Sequence, residues 1–263
     1  MKFLIQKING QIVHDFSFTL LESIRYNNWI HNNKDIKYKF KNIPSLSFYD
    51  KAPIDVIEPD DIYPIISFEQ YHYAQKYVPI GSVEFVNEFL SHFYGFVLQP
   101  TNVPEELFHY AGREIFNGTE KDLKGKMFVK SNNRIKGTCG IWNEGEGGGL
   151  PVGNYQFSDV ISDIESEWRA FVYEGKLVGL QNYSGDFTRF PNVKVINGMI
   201  KMYNPAPVAY TLDVGISASR GTLVIETHPM VSVGLYGMVE HKILPYMFYK
   251  CFWEIVKKEG KYE

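Results

Sequence analysis

The feature that most constrains this chain is a change of texture at Asn117-Gly118. Before it, apolar segments alternate between strand-like and helix-like spacing. After it, short apolar runs of strand character follow one another at Met127–Lys130, Gly140–Trp142, Glu167–Tyr173, Lys176–Asn182, Tyr210–Val214 and Thr222–Glu226. Alternating strands and helices build a sheet flanked by helices, whereas consecutive strands joined by tight turns build antiparallel sheets. The expected architecture is therefore α+β in two lobes: an α/β lobe over residues 1–118 and a sheet-rich lobe over 119–263.

In the first lobe, residues Met1 to Phe16 alternate around Asn9-Gly10, a two-residue hairpin signal. Leu20, Leu21, Ile24 and Trp29 are spaced for a helix over Ser17–Ile30, with Thr19-Leu20-Leu21-Glu22 resembling a capping box. Strands are expected at Ile36-Tyr38-Phe40 and Ile54–Ile57, the latter inside the Pro/Asp-rich segment Ala52–Pro64. Pro79-Ile80-Gly81-Ser82 leads into a helix over Val83–Phe93, followed by Phe96-Val97-Leu98 and a helix over Pro104–Phe116. In the second lobe, Glu174-Gly175 joins two strands into a tight hairpin. A long helix from about Leu235 to Lys258, interrupted at Pro245, closes the chain, and Gly145–Gly149 reads as a flexible loop.

Composition narrows the functional classes. Charge is nearly balanced, 27 Lys+Arg against 30 Asp+Glu, so no broad basic face is implied and a dedicated nucleic-acid binder is disfavoured. MKFLIQKING turns polar too early for a signal-peptide core, and no apolar run approaches the ~20 residues of a membrane span. A soluble, cytoplasmic protein is expected. Cys139 and Cys251, the two cysteines, cannot form a four-cysteine zinc site or a disulfide framework. Aromatic residues make up 16% and are spread along the chain, which suits bulky core packing more than a base-stacking platform.

Three constellations carry chemistry. In GKMFVKSNNRIKGTCGIW, a strand delivers Lys130 and a neighbouring strand carries Lys136 across a polar turn. The pair either grips a polyphosphate with ammonium groups and backbone N–H donors or sits in water on a surface hairpin. In YTLDVG and TLVIETHP, two apolar strands deliver Asp213 and Glu226, thirteen residues apart. On antiparallel neighbours they share one Mg²⁺, or they mark strand ends at the solvent. In SEWR, Glu167 and Arg169 share a strand face; they form a structural ion pair, or Arg169 holds a transferring phosphoryl group.

Taken in order, the segments FVKSNNRIKG, FSDVISDIESEWRAFVYEGKLVG, YTLDVGI and VIETHPMVSVGLYG resemble the R2K clade of the ATP-grasp superfamily, over roughly Phe128 to Gly237, with weaker support from PIGSVEF at 79–85. The resemblance implies an ATP-grasp fold, with a pre-ATP-grasp lobe and an ATP-binding lobe, and ATP and Mg²⁺ as cofactors. It makes Lys130 the strand lysine that approaches ATP and Lys136 the second lysine by the flap. Phe157, Ser158 and Asp159 match the hinge, whose backbone binds adenine while Asp159 reaches ribose, and Glu167 joins the nucleotide-binding set. Arg169 matches the arginine near the reacting phosphate, which with Lys136 makes up the catalytic pair. Asp213 and Glu226 match the metal ligands, and His228 stands where the superfamily commonly has Asn. That imidazole weakens one metal site, shifts preference toward Mn²⁺, acts as a base, or is structural.

The resemblance implies an ATP-dependent carboxylate-amine ligase working through an acyl phosphate, with an unidentified carboxylate and amine as substrates. The alternatives are a catalytically degenerate nucleotide-binding regulatory module and a kinase-like phosphotransferase on the same fold. Tyr183–Arg189 is a candidate for further substrate contacts.

Overall fold

A computed structural model describes residues 1–32, 55–57, 75–145 and 149–260. In chain order its first elements are β1 (Lys2–Ile5), α1 (Asp15–Asn32), β2 (Asp55–Ile57), β3 (Val78–Ile80) and α2 (Val83–Tyr94). A 3₁₀ turn (Glu105–Tyr110) precedes β4 (Ile115–Thr119), β5 (Lys126–Ser131), β6 (Cys139–Asn143) and β7 (Asn154–Ser158). Then come β8 (Ile164–Tyr173), β9 (Lys176–Gly185), α3 (Val193–Met202), β10 (Ala209–Ser217), β11 (Gly221–Pro229) and α4 (Leu244–Glu259). The expected strand at Ile36-Tyr38-Phe40, most of Ala52–Pro64, and positions 146–148 of the glycine loop lie outside the described residues.

The chain forms two compact units, Met1–Val97 with Met230–Glu263, and Leu98–Pro229. These units cut the chain twice, whereas the sequence pattern suggested one boundary at 118. β4 pairs with β7 inside the second unit, and α4 packs on β3 and α1 of the first.

The first unit is built on a parallel sheet of order β2-β1-β3. Phe3, Leu4 and Ile5 are fully buried, as expected of a central parallel strand covered on both faces. β1's position explains why the Asn9-Gly10 hairpin does not form. Both residues adopt positive φ, 51° and 70°, and make the turn with a single bridge from Ile8 to Gln11. Yet β2 and β3 already occupy both edges of β1, so the chain enters α1 instead. α1 starts at Asp15, which places Thr19 inside the helix rather than at its cap.

α2 follows the expected pattern. Ser82 caps it by accepting from Phe85 N at 3.2 Å, and Val83, Phe85, Val86, Phe89 and Leu90 are buried. Past it the expectations fail. The helix foreseen over Pro104–Phe116 is a short 3₁₀ turn followed by β4. Gly112, at φ 63°, redirects the backbone there. The closing helix is α4 alone, and Pro245 begins it rather than interrupting it: in the first turn its missing N–H costs no intrahelical bond.

The second unit holds two antiparallel sheets, β4-β7-β5-β6 and β11-β10-β8-β9. The expected strands all form, and Glu174-Gly175 makes the β8–β9 turn with φ of 49° and 70°. β4, β7 and α3 were not anticipated; IFNGT and NYQFS lack a clean apolar alternation. One face of the larger sheet buries Trp168, Ala170, Val172, Leu212, Val214 and Val224 against Ile196 and Met199 of α3. Because side chains alternate across a strand, the intervening residues of β8, β10 and β11 face the other way.

Candidate active site

That opposite face is ionic. Antiparallel register sets Asp213 between Arg169 on β8 and Glu226 on β11, and sets Thr211 beside His228. A register shift between Asp213 and Val214 in the β10–β11 pair leaves Ile225 as the extra residue of β11. It turns Glu226 and His228 onto Asp213's face while Val224 stays in the core. Apolar strands carrying charge at alternate positions are thus the local reason for the cluster.

Arg169 grips Asp213 with two bonds, Nε to Oδ1 at 2.8 Å and Nη2 to Oδ2 at 2.7 Å. Both side chains are buried, 8% and 1% exposed. Lys130, arriving from β5 of the smaller sheet, donates Nζ to Glu226 Oε2. His228 Nε2 lies 3.0 Å from Glu226 Oε1. Burial pushes the Glu226 carboxyl up, but the His228 bond and the charge of Lys130 outweigh it and hold the group well below the usual carboxylate range. Tyr183 on β9 donates its hydroxyl to Glu167 Oε2 at 2.6 Å and places its ring 5.8 Å from the Arg169 guanidinium carbon. Burial, then the charge of Asp213 and the bond to Glu167, push the Tyr183 hydroxyl far up, so it stays a donor.

Lys130, Glu167, Arg169, Asp213, Glu226 and His228 therefore meet on one face. The remaining candidates lie apart from this bonded cluster. Lys136 is exposed in the turn between β5 and β6, not on a strand as the spacing suggested; its φ of 55° belongs to a left-handed turn residue. Phe157 is fully buried in the smaller sheet's core and stacks on Phe116 at 5.2 Å. Ser158 Oγ accepts from Arg113 Nε at 3.2 Å. Asp159 is exposed just past β7, its carboxylate accepting from Glu114 N at 3.3 Å.

Sequence reading named Tyr183 only as the start of a contact segment and missed its place beside Glu167. The sequence carried only part of the signal: counting in twos along β9 puts Gln181 and Tyr183 on one face. The β8–β9 register shifts between Glu167 and Trp168, which makes Tyr183 an extra residue of β9, and again between Phe171 and Val172, and nothing in the sequence marks either shift. Arg113, which ties Ser158 to the Ala111 and Val224 carbonyls, had no such signal.

A divalent ion has donors here. Asp213, Glu226 and His228 each offer a ligand atom, all within 4.8 Å of one another. Two carboxylates suit a hard cation and one imidazole a softer one. The formal charges of Asp213 and Glu226 are matched by Arg169 and Lys130, so an ion would enter together with its own anion. A phosphate-bound Mg²⁺ meets that condition.

The model of the ATP-grasp domain, R2K clade family 2, matches residues 110–245, over half of the chain and all of the ionic cluster. The chain belongs to this ATP-grasp family. The resemblance read from SEWRAFV and VIETHP is thereby established, and with it the ATP-grasp fold with its α/β lobe and its antiparallel lobe. N5-carboxyaminoimidazole synthetase from Staphylococcus aureus has a similar fold, with a TM-score of 0.52 at 12% identity over 94% of this chain and 78% of that one. D-alanine–D-alanine ligase from Bacillus anthracis complexed with ATP aligns at a TM-score of 0.49 and 11% identity, over 99% of this chain and 100% of that one. The curated proteins contain no match to this sequence. Among the described residues no helix is long and apolar enough to cross a membrane.

Proposed function

We propose that this ATP-grasp protein is an ATP-dependent ligase that joins a carboxylate to an amine through an acyl phosphate. The observation that carries the reading is the paired arrangement of Arg169–Asp213 and Lys130–Glu226 on one sheet face. Two cations and two acids gathered on one face support binding of a phosphoryl group and its metal there. Asp213 and Glu226, with His228 beside them, would hold Mg²⁺, which shields phosphate charge and draws electron density from the γ-phosphorus.

In the first half-reaction a carboxylate oxygen of the substrate attacks the γ-phosphorus and the bond to ADP breaks. Lys130 exchanges Glu226 for phosphate oxygens, and Arg169, held in orientation by Asp213 and the Tyr183 ring, faces the charge that develops. In the second, the amine attacks the acyl carbon, phosphate leaves and the ammonium loses a proton to solvent. Both steps rest on positioning and electrostatics, so no nucleophilic side chain is required. Lys136 supplies a second ammonium from the β5–β6 turn. The Phe157 and Ser158 backbone is committed to the ladders with β4 and β5, so adenine falls to the segment just past β7, with Asp159 reaching the ribose and Glu167 beside the nucleotide.

A second reading has one observation in its favour. Both oxygens of Glu226 are already bonded, one by Lys130 and one by His228, as in a nucleotide-binding module that no longer turns over. A screen of amino acids, peptides and small polycarboxylates for Mg²⁺-dependent ADP release, with mass spectrometry of the products, separates the readings. ADP with an amide supports the ligase. ATP binding without ADP release supports the module, and ADP with a phosphorylated product supports a kinase.

A further inference from the structure

The first unit carries a second polar constellation, apart from the ATP-grasp cluster. In its sheet, β1 is central; the chain passes from β1 through α1 to β2 on one side and returns to β3 on the other. The order therefore reverses between β1 and β3, and in open parallel sheets ligands bind outside the carboxyl ends of the strands at such a reversal. Two features meet there. α2, twelve residues long, begins at Ser82 directly after β3, and Gln6 directly follows β1.

Gln6 is 1% exposed. Its backbone N–H bonds to the Ile80 carbonyl at 2.7 Å, and its side-chain Oε1 accepts from Ser82 N at 2.7 Å. The amide thus sits across the reversal, at the amino end of α2. Its Nε2, on the same amide, is buried and has no hydrogen-bond partner. A buried donor left unpaired has lost its hydration without compensation, and the first-turn amides of a helix have no carbonyl of their own and favour negative charge. Gly81 leaves room for this amide: a Cβ there would stand 2.4 Å from Gln6 Oε1 and 2.6 Å from Gln6 Cβ. Ser232, at φ 52°, donates Oγ to the Gly81 carbonyl at 2.8 Å and fixes the loop from the other side. Glu84 in the same first turn is exposed, so that turn reaches solvent.

We propose that Gln6 Nε2 and the first turn of α2 bind the carboxylate group of a small molecule. The donors are neutral, which matches one negative charge rather than a phosphate dianion. Gln6 donates one bond, the Val83 backbone N–H and the Ser82 hydroxyl supply the others, and the missing Cβ of Gly81 admits the Gln6 amide to this place. The carboxylate is a recognition handle. The site stands independently of the ligase reading, since binding alone reports it.

The test is a titration of the ¹⁵N-labelled full chain with acetate, and separately with inorganic phosphate, at ionic strength held constant with sodium chloride. Saturable shifts of the Gln6 side-chain amide and of the Ser82, Val83 and Glu84 backbone amides are expected with acetate, with phosphate at least ~10-fold weaker. Gln6→Glu, which replaces the donor by an anion, should abolish them, and Glu84→Gln, which removes a competing charge, should tighten binding. Absence of saturation in the unsubstituted protein overturns the proposal whether or not the variants fold. Equal shifts in Gln6→Glu, or a preference for phosphate, overturn it as well.

Discussion

Asp213→Asn removes one charge and almost no volume, and its effect follows from the Arg169–Asp213 geometry. The aspartate side chain is 1% exposed and the arginine 8%, joined by bonds of 2.8 and 2.7 Å. Removing one member of a buried ion pair costs roughly 3–5 kcal/mol, mostly because the other charge stays buried without compensation. Asparagine keeps one oxygen for the guanidinium, which places the loss near the lower end, ~3 kcal/mol. For a chain of this size that is a fall in Tm of roughly 6–12 °C. The companion variant Arg169→Met/Asp213→Leu removes both charges and should recover most of the loss, since apolar replacements of buried pairs are often close to neutral. Differential scanning calorimetry measures both. A fall below ~2 °C for Asp213→Asn would show that the pair is open to solvent, and a double variant no more stable than the single would refute the charge-burial reasoning. Asp213→Asn and the double variant should both lack ADP release, because the metal ligand is gone in each.

Lys130→Ala and Lys136→Ala should each weaken ATP binding without unfolding the protein, measured by isothermal titration; unchanged affinity in both would remove the two lysines from the phosphate site. Tyr183→Phe keeps the ring beside Arg169 and deletes the bond to Glu167, for a loss of roughly 1.5–3 kcal/mol in urea unfolding, and a loss under ~0.5 kcal/mol would show the hydroxyl is satisfied by water. Gly185→Ala should be among the most disruptive substitutions, since φ is 74° and a Cβ would stand 2.2 Å from the Glu165 carbonyl oxygen; urea unfolding should show a loss of at least ~2 kcal/mol. Glu226 has a folded pKa held below its ordinary value of 4.5, so its stabilising contribution is complete above that value and disappears as pH falls through the depressed one. Urea unfolding from pH 6 to pH 3 should therefore steepen below about pH 4.5 in the natural protein and less so in Glu226→Gln; identical profiles would sink the assignment.

The antiparallel lobe was legible because its strands obey a period of two between tight turns, as in WRAFVYEGKLVGL. The same period set Glu167 beside Arg169. What it could not give was register, and register is what brings Asp213 between Arg169 and Glu226. The extra residue at Ile225 decides which face of β11 carries Glu226, and nothing in TLVIETHP marks it. The first lobe was harder to read because β1 is central: Asn9-Gly10 signals a turn correctly but says nothing of whether an edge is free for a second strand. β4 and β7 escaped because Gly118 and Gln156 interrupt their apolar pattern. Lys136 looked like a strand residue until its left-handed backbone placed it in the turn.

The account rests on phosphoryl transfer to a carboxylate oxygen. For a carboxylate that supports ADP release in the substrate screen, labelling both of its oxygens with ¹⁸O follows that atom directly. Acyl-phosphate chemistry predicts one ¹⁸O in the inorganic phosphate for each amide formed, because the oxygen that attacked the γ-phosphorus leaves with it. Phosphate free of label alongside amide, or ADP released with no amide, would contradict the account.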